Sequence, residues 1–304
     1  VESCLIAYNR YETRNSLSGG GVVIAGGTLS NCTVVENQSS LLAHSSIVQP
    51  SAGVMWNGGG TIVNTIIRNN TRLGSRGGVI NIGGVAGYGS AFSACNAPEL
   101  ETGINGNISE DPRFVDRSAG DFRLQLGSPC LDAGIDSGAL LDLEGVPRPG
   151  DGDGDGVAYH DMGAFERIDA NSAFTCYFSS DVREGFNEIE PTFEAHVFGP
   201  DISGLYYRWD FGNGTREGFG LDRVTRQYTT GFYDVSLTVS NALGEVSGWS
   251  LPEAVRVGAP VVYVALDGGH QVPFDTWGKA ATNILDGVRA AVTTPDGASR
   301  VIVS

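Results

Sequence analysis

Two stretches near the start of this chain copy each other at an offset of 32 to 33 residues. Few folds accommodate such a period. Gly21-Val-Val-Ile, followed by Gly27-Thr-Leu-Ser-Asn-Cys-Thr-Val-Val-Glu-Asn37, aligns with Gly53-Val-Met-Trp and Gly60-Thr-Ile-Val-Asn-Thr-Ile-Ile-Arg-Asn-Asn70. Val22 falls on Val54, Leu29 on Ile62 and Asn31 on Asn64. A partial earlier copy, Glu2-Ser-Cys-Leu-Ile-Ala-Tyr-Asn9, puts Cys4 on Cys32. Each copy holds two or three short apolar runs between Gly, Asn and Ser turns. One copy cannot bury its own aliphatic side chains. Copies stacked at the ~4.8 Å spacing of neighbouring strands can, because like residues then lie over like. The repeat therefore predicts aliphatic stacks (Val22 over Val54, Leu29 over Ile62), an amide ladder from Asn31 to Asn64, and free stacked thiols at Cys4 and Cys32.

Composition narrows the functional classes. Gly numbers 44 of 304 residues, the charged fraction is 18%, and the formal charge is −16, with Lys279 the single lysine. Such a surface repels nucleic acid and anionic membranes; it suits calcium or a salty exterior, and equally plain solubility. No apolar run reaches the ~20 residues of a membrane helix. Val1 reads as mid-strand, so a cut from a longer polypeptide is expected. Five cysteines, at 4, 32, 95, 130 and 176, show no C-x-x-C pair, which leaves zinc and thioredoxin-like chemistry unsupported. N-x-S/T sequons begin at Asn31, Asn37, Asn69, Asn107 and Asn213. They permit glycosylation in a eukaryotic secretory route; chance occurrence in an Asn-, Ser- and Thr-rich bacterial protein is the preferred reading.

Beyond residue 95 the pattern changes. Gly106-Asn-Ile-Ser-Glu-Asp-Pro-Arg-Phe-Val-Asp116, Gly120-Asp-Phe-Arg-Leu-Gln-Leu-Gly-Ser-Pro-Cys-Leu-Asp-Ala-Gly134, Asp142-Leu-Glu-Gly-Val-Pro-Arg-Pro149 and Asp161-Met-Gly-Ala-Phe-Glu166 come in that order. The run resembles the C-terminal end of bacterial surface proteins built on a right-handed parallel β-helix with a choice-of-anchor-type terminal region. That resemblance implies a segment closing the helix over its last open rung, as an exposed sheet edge requires.

From 171 onward, apolar residues alternate at Phe193, Ala195, Val197, then Leu205, Tyr207, Trp209, Phe211, then Tyr233, Val235, Leu237, Val239. Period two between turn signals argues for an antiparallel sandwich. Tyr207-Arg-Trp-Asp-Phe-Gly-Asn-Gly214, Tyr228 and Gly231-Phe-Tyr-Asp-Val-Ser-Leu-Thr-Val-Ser-Asn241 resemble a PKD domain, which makes Trp209 a core residue. After Val261-Val-Tyr-Val264, helical spacing of Trp277, Ala281, Ile284, Leu285, Val288 and Val292 predicts a helix from about Thr276 to Val292, N-capped by Asp275 or Thr276. With the strand Arg300-Val-Ile-Val303 behind it, this resembles the opening of a β-helix, where an amphipathic helix plugs the first rung.

The expected fold is all-β. Residues 1–95 are parallel β-helix rungs, 96–170 a capping region with an acidic loop, 171–258 an immunoglobulin-like PKD β-sandwich, and 259–304 the N-terminal opening and capping helix of a further β-helix.

One loop carries the spacing of a hard-cation site. Asp151-Gly-Asp-Gly-Asp-Gly156 sets three carboxylates at alternate positions on a flexible backbone. Asp151, Asp153 and Asp155 are the expected calcium ligands, joined by the carbonyl of Val157 and by Asp161. The Glu that an EF-hand places at loop position twelve is here Met162. A solvated acidic turn accounts for the same residues. Catalysis has little to stand on. Glycoside hydrolysis wants paired carboxylates, yet no Asp occurs before Asp111 and no two Glu share equivalent positions on adjacent full copies. Arg68, Arg72 and Arg76 suit an anionic sugar or a solvated turn, and His44 stands alone.

The expected function is a non-catalytic extracellular or cell-surface protein, bacterial in origin, structural or adhesive: a stiff rod with a PKD spacer or contact module, tandemly repeated. Expected partners are other copies or neighbouring repeats through helix ends, extracellular polysaccharide and surface proteins. Two alternatives remain. One is a filament subunit joined head-to-tail; the other is a fragment of a polysaccharide lyase or glycoside hydrolase whose active site lies elsewhere.

Overall fold

The computed structural model describes residues 1–13, 20–41, 51–73, 78–84, 88–169, 173–259, 261–271, 274–291, 293–294, 297–298 and 300–303. The chain forms two compact units, Val1–Ser172 and Ala173–Ser304.

In the first unit, short strands pair in parallel with their counterparts one repeat away. Leu5–Ala7, Thr33–Val35 and Ile66–Arg68 make one such set, and Arg10–Thr13, Gln38–Leu41 and Thr71–Leu73 a second. Val22–Ile24, Val54–Trp56 and Ile82–Gly84 make a third, and Thr28–Ser30, Thr61–Val63 and Phe92–Ser93 a fourth. Val22 pairs with Val54 and Leu29 with Ile62. Leu29, Val34, Ile62, Ile67 and Phe92 are fully buried in one apolar cluster. The Cys4–Cys32 stack is broken on the next layer, where Thr65 Oγ1 accepts from Cys32 N.

Single residues in the left-handed region turn the chain between strands, and they recur in register. Ser3, Asn31, Asn64 and Ala94 have φ of 47°, 49°, 48° and 49°; Tyr8, Glu36 and Asn69 have 59°, 56° and 56°. Asparagine tolerates this region better than most residues, which explains its place at the corners.

Two amide ladders run along the layers. Asn64 Nδ2 donates to Asn31 Oδ1 at 2.9 Å. The second ladder is longer: the aligned copies share its first three members, and their spacing does not announce the last two. Asn9, Asn37, Asn70 and Asn81 each donate both backbone N–H and side-chain Nδ2 to the oxygen of the next member, and Glu99 accepts last. Asn37, Asn70 and Asn81 are fully buried.

Beyond residue 95 the chain takes two paths. In residues 96–108, Ala97 N donates to Ile108 O, Ile108 N donates to Cys95 O, and Leu100 enters the apolar cluster. Residues 109–169 lie along the flank. Phe114, Phe122, Leu124, Cys130, Leu131 and Met162 pack with Leu5, Ala7, Val35, Ile66 and Ala94. The reason is that Thr33–Val35 is buried at all three positions, so this sheet needs apolar cover on its outer face as well.

The second unit opens with an antiparallel sheet of Thr175–Ser180, Thr192–Phe198 and Arg223–Thr225. A five-stranded sheet joins Glu184–Phe186, Val246–Gly258, Gly231–Ser240, Tyr206–Asp210 and Thr215–Phe219. Beyond them, Val261–Val264 pairs in parallel with Arg300–Val303. The helix is shorter than its apolar spacing suggests: Ile284–Ala290, capped by Asn283, whose side chain accepts from Asp286 N. Trp277–Lys279 is a separate 3₁₀ turn. Ala281 and Ala290 are buried beside Val262 and Val264, whereas Ile284, Leu285 and Val288 are exposed. Val292 lies outside the described residues.

Candidate functional site

The acidic loop closes on a residue about twenty positions upstream. Asp132, Asp151 and Asp153 each bring a carboxylate oxygen within 4.8 Å of the others. Asp132 is held by backbone amides of Gly152, Asp153 and Tyr159. Asp151 takes amides from Gly154 and Gly156. Burial pushes the Asp132 carboxyl above its ordinary range, with the Asp153 charge adding to the rise against the hydrogen bonds. Asp155 is exposed, and its carboxylate accepts from Val157 N at 2.8 Å. Asp132 is not among the ligands expected from sequence, because nothing in local spacing connects it to the Asp151–Gly156 run.

Asp161 belongs to a different arrangement. Fully buried, it accepts from Asp132 N and Arg167 N. Nearby, Arg148 Nη1 meets Glu166 Oε2 at 2.5 Å with both side chains sealed from solvent. Arg148 also donates to the carbonyls of Asp161 and Gly163, and Glu166 accepts from Gly150 N and Asp161 N. Desolvation raises Glu166 to about 7 against the pull of Arg148. Desolvation and the Glu166 charge also raise Asp161. These residues clamp the flanking segment to the strands: Gly163 N donates to Asn64 O and Ala164 N to Thr33 Oγ1. Met162, at the loop position an EF-hand gives to Glu, is fully buried in the flanking core.

The remaining candidates have structural roles or lie out of view. The sequon residues Asn31, Asn37 and Asn107 are buried and hydrogen-bonded. In the fold they serve as ladder or turn amides rather than glycan carriers. Arg68 reaches across to Asn96 Oδ1 and to the carbonyls of Ser109 and Glu110. His44 and Arg76 lie outside the described residues.

In the second unit, Trp209 is fully buried, donates Nε1–H to Leu221 O, and stacks on Phe211 at 5.4 Å. Phe178 and Phe193 of the facing sheet close on it at 5.5 and 6.0 Å. Two antiparallel layers thus share one aromatic core. Residues 189–250 match the PKD domain. No curated protein sequence matches the chain. The PKD domain is a β-sandwich, and its Trp209 is a core residue with no face left for a sugar. Among the described residues, no helix is long and apolar enough to cross a membrane.

Proposed function

We propose that residues 1–95 are the closing turns of a right-handed parallel β-helix, and that the protein is a non-catalytic structural or adhesive element outside a bacterial cell. A PKD domain suggests an extracellular adhesive or structural module, here a spacer or contact unit. The observation that carries the reading is the register. Val22–Val54–Ile82 and Leu29–Ile62–Phe92 run through three layers with their side chains in one cluster, an arrangement that makes a stiff rod. Residues 96–170 act as its choice-of-anchor-type terminal region, and 259–304 as the opening of a further β-helix. Leu5–Ala7, Arg10–Thr13 and Val22–Ile24 each sit at the edge of their sheet, and Val1–Ser3 pair along Thr28–Ser30 at the edge of the fourth. They are the surface through which neighbouring repeats or second copies would add.

The test has two arms. Antibody or protease access on intact cells should reach the PKD domain. Incubation of the purified protein with acidic and neutral polysaccharides should release no reducing ends or unsaturated products. Protection inside cells removes the extracellular reading; turnover removes the non-catalytic one.

We propose in addition that the Asp151–Gly156 loop takes calcium, with Asp132, Asp151 and Asp153 as its acids. Support comes from carboxylates crowded on one loop, one of them desolvated; a hard divalent ion relieves that repulsion. Asp155 and the Val157 carbonyl are the other oxygens of the loop region available to it; Asp161, fully buried with both carboxylate oxygens taken by the Asp132 and Arg167 amides, is not one of them. Calcium should raise the melting temperature of the wild type and not of Asp151→Asn. Equal melting with calcium and with chelator excludes the ion.

A further inference from the structure

A chain of net charge −16 gathers three arginines around one polar cleft of the first unit. The cleft holds about 380 Å³ and is lined by Arg68, Asn69, Asp111, Arg113, Arg117 and Gln125 over the buried Phe114 and Pro112. Its volume is that of a small-ligand site.

Its hydrogen-bonding groups are divided in an informative way. Arg68 is fixed by Asn96 and by the Ser109 and Glu110 carbonyls, through Nε and Nη2 only. Arg113 uses Nη1 alone, on Gly127 O at 2.7 Å. Among the described residues neither guanidinium has a carboxylate within ion-pair distance, while Arg117 is paired with Glu36 at 2.5 Å. Burial lowers the Arg68 pKa, against the opposing pull of the nearby Asp111, Glu99 and Glu110 charges. Arg113 itself sits at φ 53°, a conformation that costs a bulky residue energy and aims its side chain by backbone constraint. The free donors are therefore Arg68 Nη1 and Arg113 Nε and Nη2. Acceptors stand beside them: Asp111 uses Oδ1 on Arg113 N, and Gln125 uses only Nε2, on the Phe114 and Val115 carbonyls. Asp111 Oδ2 and Gln125 Oε1 stay open, and the Asn69 amide adds one donor and one acceptor.

We propose that this cleft binds a uronic-acid unit of an acidic glycan. The carboxylate would lie on Arg113 and Arg68, where a planar fork matches two oxygens, and the ring hydroxyls on Asp111, Asn69 and Gln125. A simple inorganic anion would use the arginines and leave the acceptors idle. A peptide would want apolar side-chain pockets that these walls lack. The assignment supplies a ligand for the adhesive function and rests on that function only in placing the ligand outside the cell.

The test is isothermal titration of the whole chain with oligogalacturonate, with dextran sulfate and neutral dextran as separate arms. Saturable binding of oligogalacturonate is expected, weakened by salt. Arg113→Gln should weaken it about 10- to 100-fold, the range for a charge-assisted fork. Gln125→Ala should weaken it several-fold, and Arg208→Gln, in the PKD domain, should leave it unchanged. No saturable binding by the wild type overturns the proposal. So does equal or tighter binding of dextran sulfate, or Arg113→Gln binding as well as wild type in a protein that melts normally. Failure here removes the cleft as a site and leaves the extracellular reading to its own test on intact cells.

Discussion

Asn70 is the residue on which the long amide ladder can be tested. Its side chain is fully buried. Oδ1 accepts from Asn37 N at 3.0 Å and from Asn37 Nδ2 at 2.9 Å. Nδ2 donates to Val34 O and Arg68 O, both at 2.9 Å, and to Asn81 Oδ1 at 3.2 Å. In Asn70→Ala the Asn37 amide loses its partner, whereas Asn37 Nδ2 keeps Ile6 O and Asn81 Oδ1 keeps the backbone N–H of residue 70. One orphaned buried N–H costs about 1–3 kcal/mol, and loss of the remaining side-chain bonds about 1 kcal/mol net. The expected destabilisation is about 2–4 kcal/mol. For a unit spanning Val1–Ser172 that lowers the melting temperature by about 6–12 °C. Asn70→Asp should be worse at neutral pH and recover on acidification, because it sets an unpaired carboxylate against two carbonyls and an amide oxygen. Asn57→Ala, an exposed turn residue with no side-chain bond among the described residues, is the control and should stay within about 0.5 kcal/mol. Urea unfolding gives the magnitude, and hydrogen exchange at the Asn37 and Asn81 amides localises it. An Asn70→Ala protein as stable as Asn57→Ala would refute the ladder as a structural device.

The buried Glu166 binds its proton more tightly in the folded state than in the unfolded chain, about 7 against 4.5. The native state therefore carries the extra proton between those values, and this group's contribution to stability falls as pH rises from about 4.5 to about 7. Glu166→Gln should flatten that dependence, and its cost of about 3–5 kcal/mol through the stranded Arg148 should appear above about pH 7, where the native carboxylate is ionised; an unchanged pH slope in urea titrations would contradict the assignment. Gly163 has φ +101°, and a Cβ there would stand 2.9 Å from both Ile66 Cδ1 and Thr33 Oγ1. Gly163→Ala should loosen the flanking segment by about 2–4 kcal/mol, read as faster hydrogen exchange over 109–169 than in the strands. Burial holds the thiols of Cys32, Cys95 and Cys130 up at about 12. Ellman's reagent should leave those three untouched in the native protein and titrate five thiols after unfolding; fast native labelling of Cys32 would place it outside the core.

Repeat spacing and side-chain period carry different amounts of information along this chain. Val22 over Val54 and Leu29 over Ile62 are legible because a fixed offset converts directly into register. Trp209 is legible because alternation sets it on the same face as Tyr207 and Phe211. The Asn9–Glu99 ladder is harder to read. Its steps are 28, 33, 11 and 18 residues long, so its last two members fall off the repeat, and its terminator is not an asparagine. A carboxylate ends such a ladder for a chemical reason: every asparagine passes its donors forward, so the last partner must accept without needing to donate. The flank escapes the repeat logic because that logic treats Thr33-Val-Val as one inward stack, when a strand buried at all three positions requires partners on both faces. Once Leu5, Val35 and Ile66 face outward, a covering segment is obligatory. Polar groups buried with it must then be paired, and Arg148, Glu166, Asp142 and Asp161 form the network that pairs them. The same segment that supplies this cover supplies Asp132 to the acidic loop and Arg113 to the cleft. The parts of the molecule that offer chemistry are thus the parts recruited to hide an apolar sheet. Their geometry depends on tertiary contacts that no local spacing records, which is why neither Asp132 beside Asp151 nor Arg113 beside Arg68 is visible in the sequence.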